Sequence, residues 1–295
     1  MICARYHAPA RHLRSIIEIY FFYDVQLPSG IMVEDRLLGE RPNIKFLLDG
    51  ATHTVTRRRS FQSSRDAIAF GHNTHPISAS LTGSARLFGM GITTTGWSTL
   101  FDMPLSELTD SGVELAALVG PDANRLFDAL SACPDDLAMV RVMDAYWTQR
   151  LAKRERRLSP LVRAIEDMVA GRPIRRADEL ASAVDMSLRN LQRVTADHFG
   201  LTPKQLLRRQ RFIRTARAMR TLSGTDLDDW LAEDFTDASH ITREFHRFSG
   251  ETPGQFVARA RPMMEPAFIM QSILRRRSVA EFGADGERIE VDTNS

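Results

Sequence analysis

The chain has 295 residues, 43% apolar and 26% charged, with a net charge of +2. That length suggests two domains, and the apolar content is enough for ordinary globular cores. Its two cysteines, Cys3 and Cys133, supply neither a disulfide framework nor a metal-ligand spacing, which fits a reducing cytoplasm. No stretch approaches ~20 apolar residues and the N-terminus lacks an apolar core, so neither a secretory leader nor a membrane span is expected.

Residues 1–105 read as β-rich. The run "IIEIYFFYDV" (16–25) is buried in character and rich in β-branched and aromatic residues. "NIKFLLDG" (43–50) reads as a strand entering a turn, and "THTVTR", "AIAFG" and "ARLFGMGITTTG" follow, separated by Gly, Pro, Asn and Ser. Short strands with frequent turns predict a small sandwich or barrel. Residues 111–152 change to helical texture, with three apolar stripes: Leu115, Leu118, Val119; Leu126, Phe127, Leu130; and Leu137, Val140, Met143, Trp147. Stripes of this kind make core or helix–helix packing, including a dimer interface. The expected organisation is therefore a domain over 1–150, a charged linker over 151–158, an all-α domain over 159–262 and a loosely ordered tail over 263–295.

Charge is unevenly spread. Residues 153–220 hold 17 Lys/Arg against 7 Asp/Glu, whereas residues 221–295 hold 8 against 14. A basic block on helices is an electrostatic footprint for phosphates.

One phrase occurs twice, "GLTPKQ" from Gly200 and "GETPGQ" from Gly250. In each, Gly fits the left-handed position that closes a helix. Thr is an N-cap, Pro suits the first helical position, and Gln completes a capping box. Upstream lie "SLRNLQRVTADHFG" (187–200) and "DASHITREFHRFSG" (237–250), in which Ser187 matches Asp237, Leu191 matches Ile241 and Arg193 matches Arg243. Each is preceded by a short helical segment, "RADELASAV" (176–184) and "DLDDWLAEDF" (226–235). Short helix, tight turn and second helix is a helix-turn-helix, here duplicated.

Helical spacing sorts the two reading helices. Leu188, Leu191, Val194 and Phe199 face inward, while Arg189, Gln192, Arg193 and Ala196 face out. In the second, Ile241, Phe245 and Phe248 face inward, while Ser239, Thr242, Arg243 and His246 face out. Arg and Gln carry forks that match guanine and adenine edges in the major groove. The candidate DNA contacts are Arg189, Asn190, Gln192, Arg193, Ser239, His240, Thr242 and Arg243. The acidic surroundings of the second set predict that the first unit dominates affinity. A long helix over 203–221, roughly 27 Å, would hold the two readers for successive major grooves about 34 Å apart.

With these motifs in view, residues 174–260 resemble the AraC/XylS family of transcription regulators. The resemblance rests on "ELASAVDMSLRNLQRVTADHFGLTPKQLLRRQRFIRTARAM" and "WLAEDFTDASHITREFHRFSGETPGQF". The N-terminal half, through "RPNIKFLLDG" and "FGMGITTTGWSTLFDMPLSELTD", also resembles the cupin-like β-barrel sensor domains of this family. The family resemblance implies an α+β multidomain chain: an N-terminal cupin-like β-barrel with helices, and a C-terminal all-α double helix-turn-helix domain. It also implies double-stranded DNA and RNA polymerase as partners, a small-molecule effector, a homodimer and, by the family's commoner habit, activation. No cofactor, catalytic residue or metal is implied. Two departures stand out: the turn glycine usual in each unit is replaced by Asp185 and Asp234, and Ile241 stands where Phe is common. Asp tolerates left-handed geometry better than most residues.

Three alternatives compete. A metal-dependent cupin enzyme fused to a DNA-binding domain would need ligands from His53, His72 and His75, but the cupin spacing of His and Glu is absent, and "GHNTHP" reads as a polar loop. A DNA-repair fusion would need reactive thiolates, and Cys3 and Cys133 are isolated. A degenerate second unit would serve protein contacts instead of DNA.

Overall fold

The computed structural model describes residues 1–38, 41–154, 158–171, 174–222, 238–276 and 288–292. The β-branched and aromatic runs of the N-terminal part form β1 (Ile2–His7), β2 (Ile17–Val25), β3 (Met32–Leu37), β4 (Asn43–Val55), β5 (Ser60–Ser63), β6 (Ala67–Phe70), β7 (Ile77–Ile92) and β8 (Gly112–Glu114). A last strand, β9 (Arg288–Asp292), comes from the other end of the chain. Among the described residues these make one antiparallel sheet in the order β8-β6-β4-β7-β2-β1-β9, with β3 added to β7 and β5 to β4.

The sheet curls because β7 changes partner along its length. Its first half pairs with β3 (Met32 opposite Thr82) and its second half with β2 (Val25 opposite Ala85). At the changeover Gly83 has φ +71°, and across in β4 Gly50 has φ +93°. A Cβ at Gly50 would lie 2.5 Å from the carbonyl oxygen of Ser84, so both backbone geometry and space require glycine there.

Side chains alternate across the pleat. Ile44, Phe46 and Leu48 of β4, Tyr20 and Phe22 of β2, and Phe88 and Met90 of β7 form one buried face. Against it pack α1 (Thr94–Leu100), α2 (Ala116–Val119), α3 (Asp122–Ser131) and α4 (Asp136–Ala152). The apolar stripes of these helices are consumed here: Leu126, Leu130, Met143 and Trp147 are buried in the chain's own core, while Leu137 is left exposed. The "TTTG" stretch, read above as part of a β run, opens α1 because Thr93 caps it, accepting from the amide of Gly96.

The helical part contains α5 (Pro160–Gly171), α6 (Ala177–Ala183), α7 (Leu188–Phe199), α8 (Pro203–Thr221), α9 (Ala238–Ser249), α10 (Pro253–Ala258) and α11 (Glu265–Arg276). It has two cores. Ile165, Leu180, Leu191, Val194, Phe199 and Leu207 make the first. Phe212, Phe245, Phe248, Phe256 and Phe268 make the second. The α+β architecture expected from the sequence is the one observed. Within the tail expected to be loosely ordered, the described residues form α11 and β9, the latter paired with β1 so that Cys3 lies opposite Asp292. An apolar run, "AFIM" (267–270), finds cover on both sides and so becomes a helix.

The two parts are joined by the second core, which also takes in Leu37, Leu38, Ile77 and Ala79 of the N-terminal part, and by polar contacts. The Glu166 carboxylate accepts from the Thr94 amide at 2.8 Å and the Thr95 hydroxyl at 3.2 Å, at the start of α1, and pairs with Arg41 at 3.2 Å. Arg209 is buried in α8 and donates to the carbonyl of Asn73 at 2.9 Å. The "GHNTHP" loop is therefore polar but not exposed: His72, Asn73 and Thr74 are buried beneath the helices. Replacing Glu166 by Ala strips α1 of its acceptor and leaves Arg41 short of a partner. A loss of about 1–3 kcal/mol in unfolding free energy is expected, read from denaturant melts.

Candidate nucleic-acid interface and an internal cavity

The first reading helix, α7, begins at Ser187, whose hydroxyl accepts from the Asn190 amide at 3.3 Å. The preceding turn contains Asp185 at φ +52°, the left-handed geometry expected of the residue replacing the usual glycine. Leu191, Val194, Thr195 and Phe199 are buried, and this fixes the rotation of the helix. Arg189, Asn190, Gln192, Arg193 and Ala196 are exposed as a result. Leu188 departs from its expected inward place: it is 42% exposed, because the first helical residue lies at the rim of the core. Arg193 has a 3.8 Å ion pair with Asp197 one turn on, an exposed contact worth little and easily exchanged.

The second reading helix, α9, buries Phe245 and Phe248 and half-buries Ile241. Ser239, Arg243 and His246 are exposed, and Thr242 is half-buried. His240 is also half-buried and lies 3.8 Å from Glu244. The partner helix "DLDDWLAEDF", the cap Asp237 and the turn residue Asp234 lie outside the described residues. Within α9, Glu244 is fully buried and accepts a fork from Arg208 of α8, with contacts of 2.5 and 3.0 Å. This pair sets the second reader on the long helix.

Both Gly-x-Thr-Pro phrases have the expected geometry. Gly200 and Gly250 are left-handed, and Thr202 and Thr252 form capping boxes with Gln205 and Gln255. Both also touch the N-terminal part. The Gly200 carbonyl accepts from the Thr109 hydroxyl at 3.0 Å. The carbonyls of Ser249 and Gly250 accept from Arg36 at 3.1 and 3.0 Å. Beside the first phrase, His72 stacks on Phe199 with centroids 6.4 Å apart, and burial, aided by Arg209 and Arg41, holds its imidazole neutral.

The basic block is less open than its charge count implies. Arg154 pairs with Asp102, Arg163 with Asp167, Arg176 with Asp178, Arg208 with Glu244 and Arg220 with Glu265. Arg209 and Arg214 are buried. Helical spacing locates a charge but not its partner, so this commitment was invisible in the sequence.

On the face of the sheet away from its helices lies a cavity of about 240 Å³. Apolar side chains dominate its wall, among them Phe21, Ile68, Leu87 and, from the C-terminal segment, Met263, Met264 and Met270. Four charged residues line it: Glu18, Arg41, Lys45 and Asp66. Glu18 and Arg41 pair at 2.6 Å. Lys45 has its ammonium 5.4 Å from the Phe70 ring and no hydrogen bond or ion pair among the described residues. Burial lowers its pKa from 10.5 to about 8.

The histidines weighed as metal ligands have other partners. His53 bonds Ser60 at 2.7 Å and His75 pairs with Asp110 at 3.2 Å. No cluster of three or more metal-ligating side chains occurs among the described residues. Nor, among them, is any helix long and apolar enough to cross a membrane.

Residues 180–259 match the family model of a helix-turn-helix domain, and residues 5–114 match a domain of unknown function, DUF6597. No curated protein matches the chain. Among solved structures, ToxT from Vibrio cholerae is similar at 10% identity and a TM-score of 0.49, over 81% of this chain and 97% of that one. An apo ToxT variant from Vibrio cholerae strain SCE256 gives 11%, 0.47, 81% and 96%. A cupin superfamily protein from Desulfitobacterium hafniense DCB-2 is similar to a smaller part, at 12% identity and a TM-score of 0.23 over 31% of this chain and 77% of that one.

The Arg208–Glu244 fork yields a test of how the second reader is held. Arg208→Ala strands a buried carboxylate, which costs about 3–5 kcal/mol. Hydrogen exchange in α9 is expected to rise sharply while α7 stays protected.

Proposed function

Because its C-terminal part is a helix-turn-helix domain of the AraC/XylS type, we propose that the chain is a sequence-specific transcription regulator whose two units read successive major grooves. The observation that carries this reading is the division of α7: Leu191 and Val194 are buried while Arg189, Asn190, Gln192 and Arg193 all face solvent. These four are the residues of the first reader, and Ser239, His240, Thr242 and Arg243 those of the second. The half-burial of His240 and Thr242 leaves Arg243 as the principal fork of the second unit. The domain frame is 1–150, linker 151–158, and 159–262 for DNA. Activation through RNA polymerase, a homodimer and a cytoplasmic setting complete the proposal. A regulator and not an enzyme is favoured by the histidines' separate engagements in hydrogen bonds and ion pairs.

Selection from random duplexes at near-physiological salt tests it. A non-palindromic site with two informative blocks about 10 base pairs apart is expected. Arg193→Ala and Arg243→Ala should each weaken binding by about 1–3 kcal/mol and relax one block only. A single block surviving unchanged in Arg243→Ala would assign the second unit to protein contacts.

The cavity is the effector site in this reading. Scaled by the roughly 150 Å³ that holds benzene, it takes a body of about ten non-hydrogen atoms. Lys45 gives that body an anionic end, since a half-buried ammonium with no carboxylate partner among the described residues gains from an anion that reaches it. The sign of the pH effect follows. The folded pKa of Lys45, about 8, lies below its usual 10.5, so the burden on stability is full below pH 8 and lifts as pH rises toward 10.5. Lys45→Met is therefore expected to melt higher than the parent at pH 7, with the gap closing by pH 10.5. Octanoate should raise the parent's melting temperature more than octanamide does, and should lose that advantage in Lys45→Met.

A further inference from the structure

Residues 261–276 leave the second reader and pack on the N-terminal sheet, and residues 288–292 pair with its strand β1. The Arg261 side chain is fully buried, stacks 4.0 Å from the Phe256 ring, pairs with Glu251 and donates to the Arg36 carbonyl at 3.2 Å. The Asp35 carboxylate accepts from the amides of Met263 and Met264, both at 3.1 Å. Together these fix the start of the arm to β3.

Helix α11 then serves two structures at once. Phe268 is fully buried in the second reader's core, 6.2 Å from the Phe256 ring, and Phe256 lies 5.2 Å from Phe245 of α9. Met270 is buried instead against Ala4 and Tyr6 of β1. Met263, Met264, Ala267 and Met270 form part of the cavity wall. No residue of this arm enters the first reader's core as described. A body seated in the cavity therefore rests on a helix whose other side is the packing of α9.

We propose that this C-terminal arm carries the state of the cavity to the second reading helix and not to the first. The proposal rests on the cavity being the effector site and names the route by which that site is read. Interiors packed to crystal-like density pass a displacement on instead of absorbing it, so a shift of α11 moves Phe268 against Phe256 and Phe245. The contacts of α7 run to α6, α8, α1 and the 105–108 turn; the arm also packs on α8, but none of its residues enters the core that α7 shares.

Two full-length variants test this, both in a Cys133→Ser background. Asp292→Cys places a thiol opposite native Cys3 on β1. Opposed residues of antiparallel strands lie about 4.5–5.5 Å apart, within disulfide range, so oxidation locks the arm. Met270→Asp sets a charge in its seat and releases it. Hydrogen exchange is read over 241–249 and 191–199. On release, protection over 241–249 is expected to fall about tenfold and that over 191–199 to stay within about twofold. The oxidised Asp292→Cys protein should match or exceed the reduced form over 241–249 alone. If circular dichroism shows that Met270→Asp does not fold, Met270→Ala replaces it with the same expectation. Parallel changes in both segments overturn the proposal. So does unchanged exchange over 241–249 on release, or failure of Cys3 to form a disulfide with the introduced thiol in oxidised Asp292→Cys. Loss of octanoate binding would remove the ligand and leave this exchange pattern intact, so the two readings fail separately.

Discussion

An α-helix ends with carbonyls that have no partner inside it, and here both reading helices hand some of theirs to the N-terminal domain. Thr109 takes the Gly200 carbonyl, and Arg36 takes those of Ser249 and Gly250. Both copies of the duplicated glycine need left-handed backbone, and at Gly200 close approach is a second requirement: a Cβ there would sit 2.8 Å from the Ser106 Cα and 2.9 Å from the Leu105 carbonyl oxygen. The position that ends each reader is the position by which the rest of the chain holds it.

The reading helices were legible because their pattern is local. Caps, capping boxes and the period that separates Leu191 and Val194 from Arg189, Gln192 and Arg193 all lie within a dozen residues. Asp185 was legible for the same reason, since a tight turn states its own backbone need. What stayed hidden depends on partners distant in sequence. Nothing in "GHNTHP" says that Arg209, more than a hundred residues on, will donate to Asn73 and bury the loop. Glu166 looks like one more exposed acid on α5 until Thr94 and Thr95 are placed beside it. The arm is a sharper case. Its apolar residues could be counted, yet no periodicity reveals that one helix will be shared between a reader's core and a cavity wall.

The character of the interface bears on how the chain could switch. Its described contacts are largely hydrogen bonds and ion pairs: Glu166 with α1, Arg209 with Asn73, Arg36 with two carbonyls, and Arg261 near Asp35. Each such bond contributes only about 0.5–1.5 kcal/mol net, more where a charge is involved. Apolar area enters at the arm and where Leu37, Leu38, Ile77 and Ala79 join the second reader's core. A junction made this way is specific in geometry and moderate in strength, as interfaces between mobile domains usually are.

That moderation sets the terms for control. Moving a two-state equilibrium from 1:99 to 99:1 requires about 5.5 kcal/mol of differential binding. A ligand of about ten non-hydrogen atoms has at most ~1.5 kcal/mol per atom to offer, and in practice much less. It is too small to undo the whole polar junction, but it can bias one part of it. The first reader is held at α1, at the 71–76 loop and at Thr109, which lie off the cavity wall, and it meets that wall at the Arg41–Glu166 pair. The second is held at β3 and through α11, and Leu37, Met263 and Met264 line it directly. The energies therefore favour a chain in which one reader stays set and the other is adjusted. Under the proposed function, the duplication of the helix-turn-helix would then have a use beyond added affinity: one copy would keep a place on the duplex while the other reports the ligand.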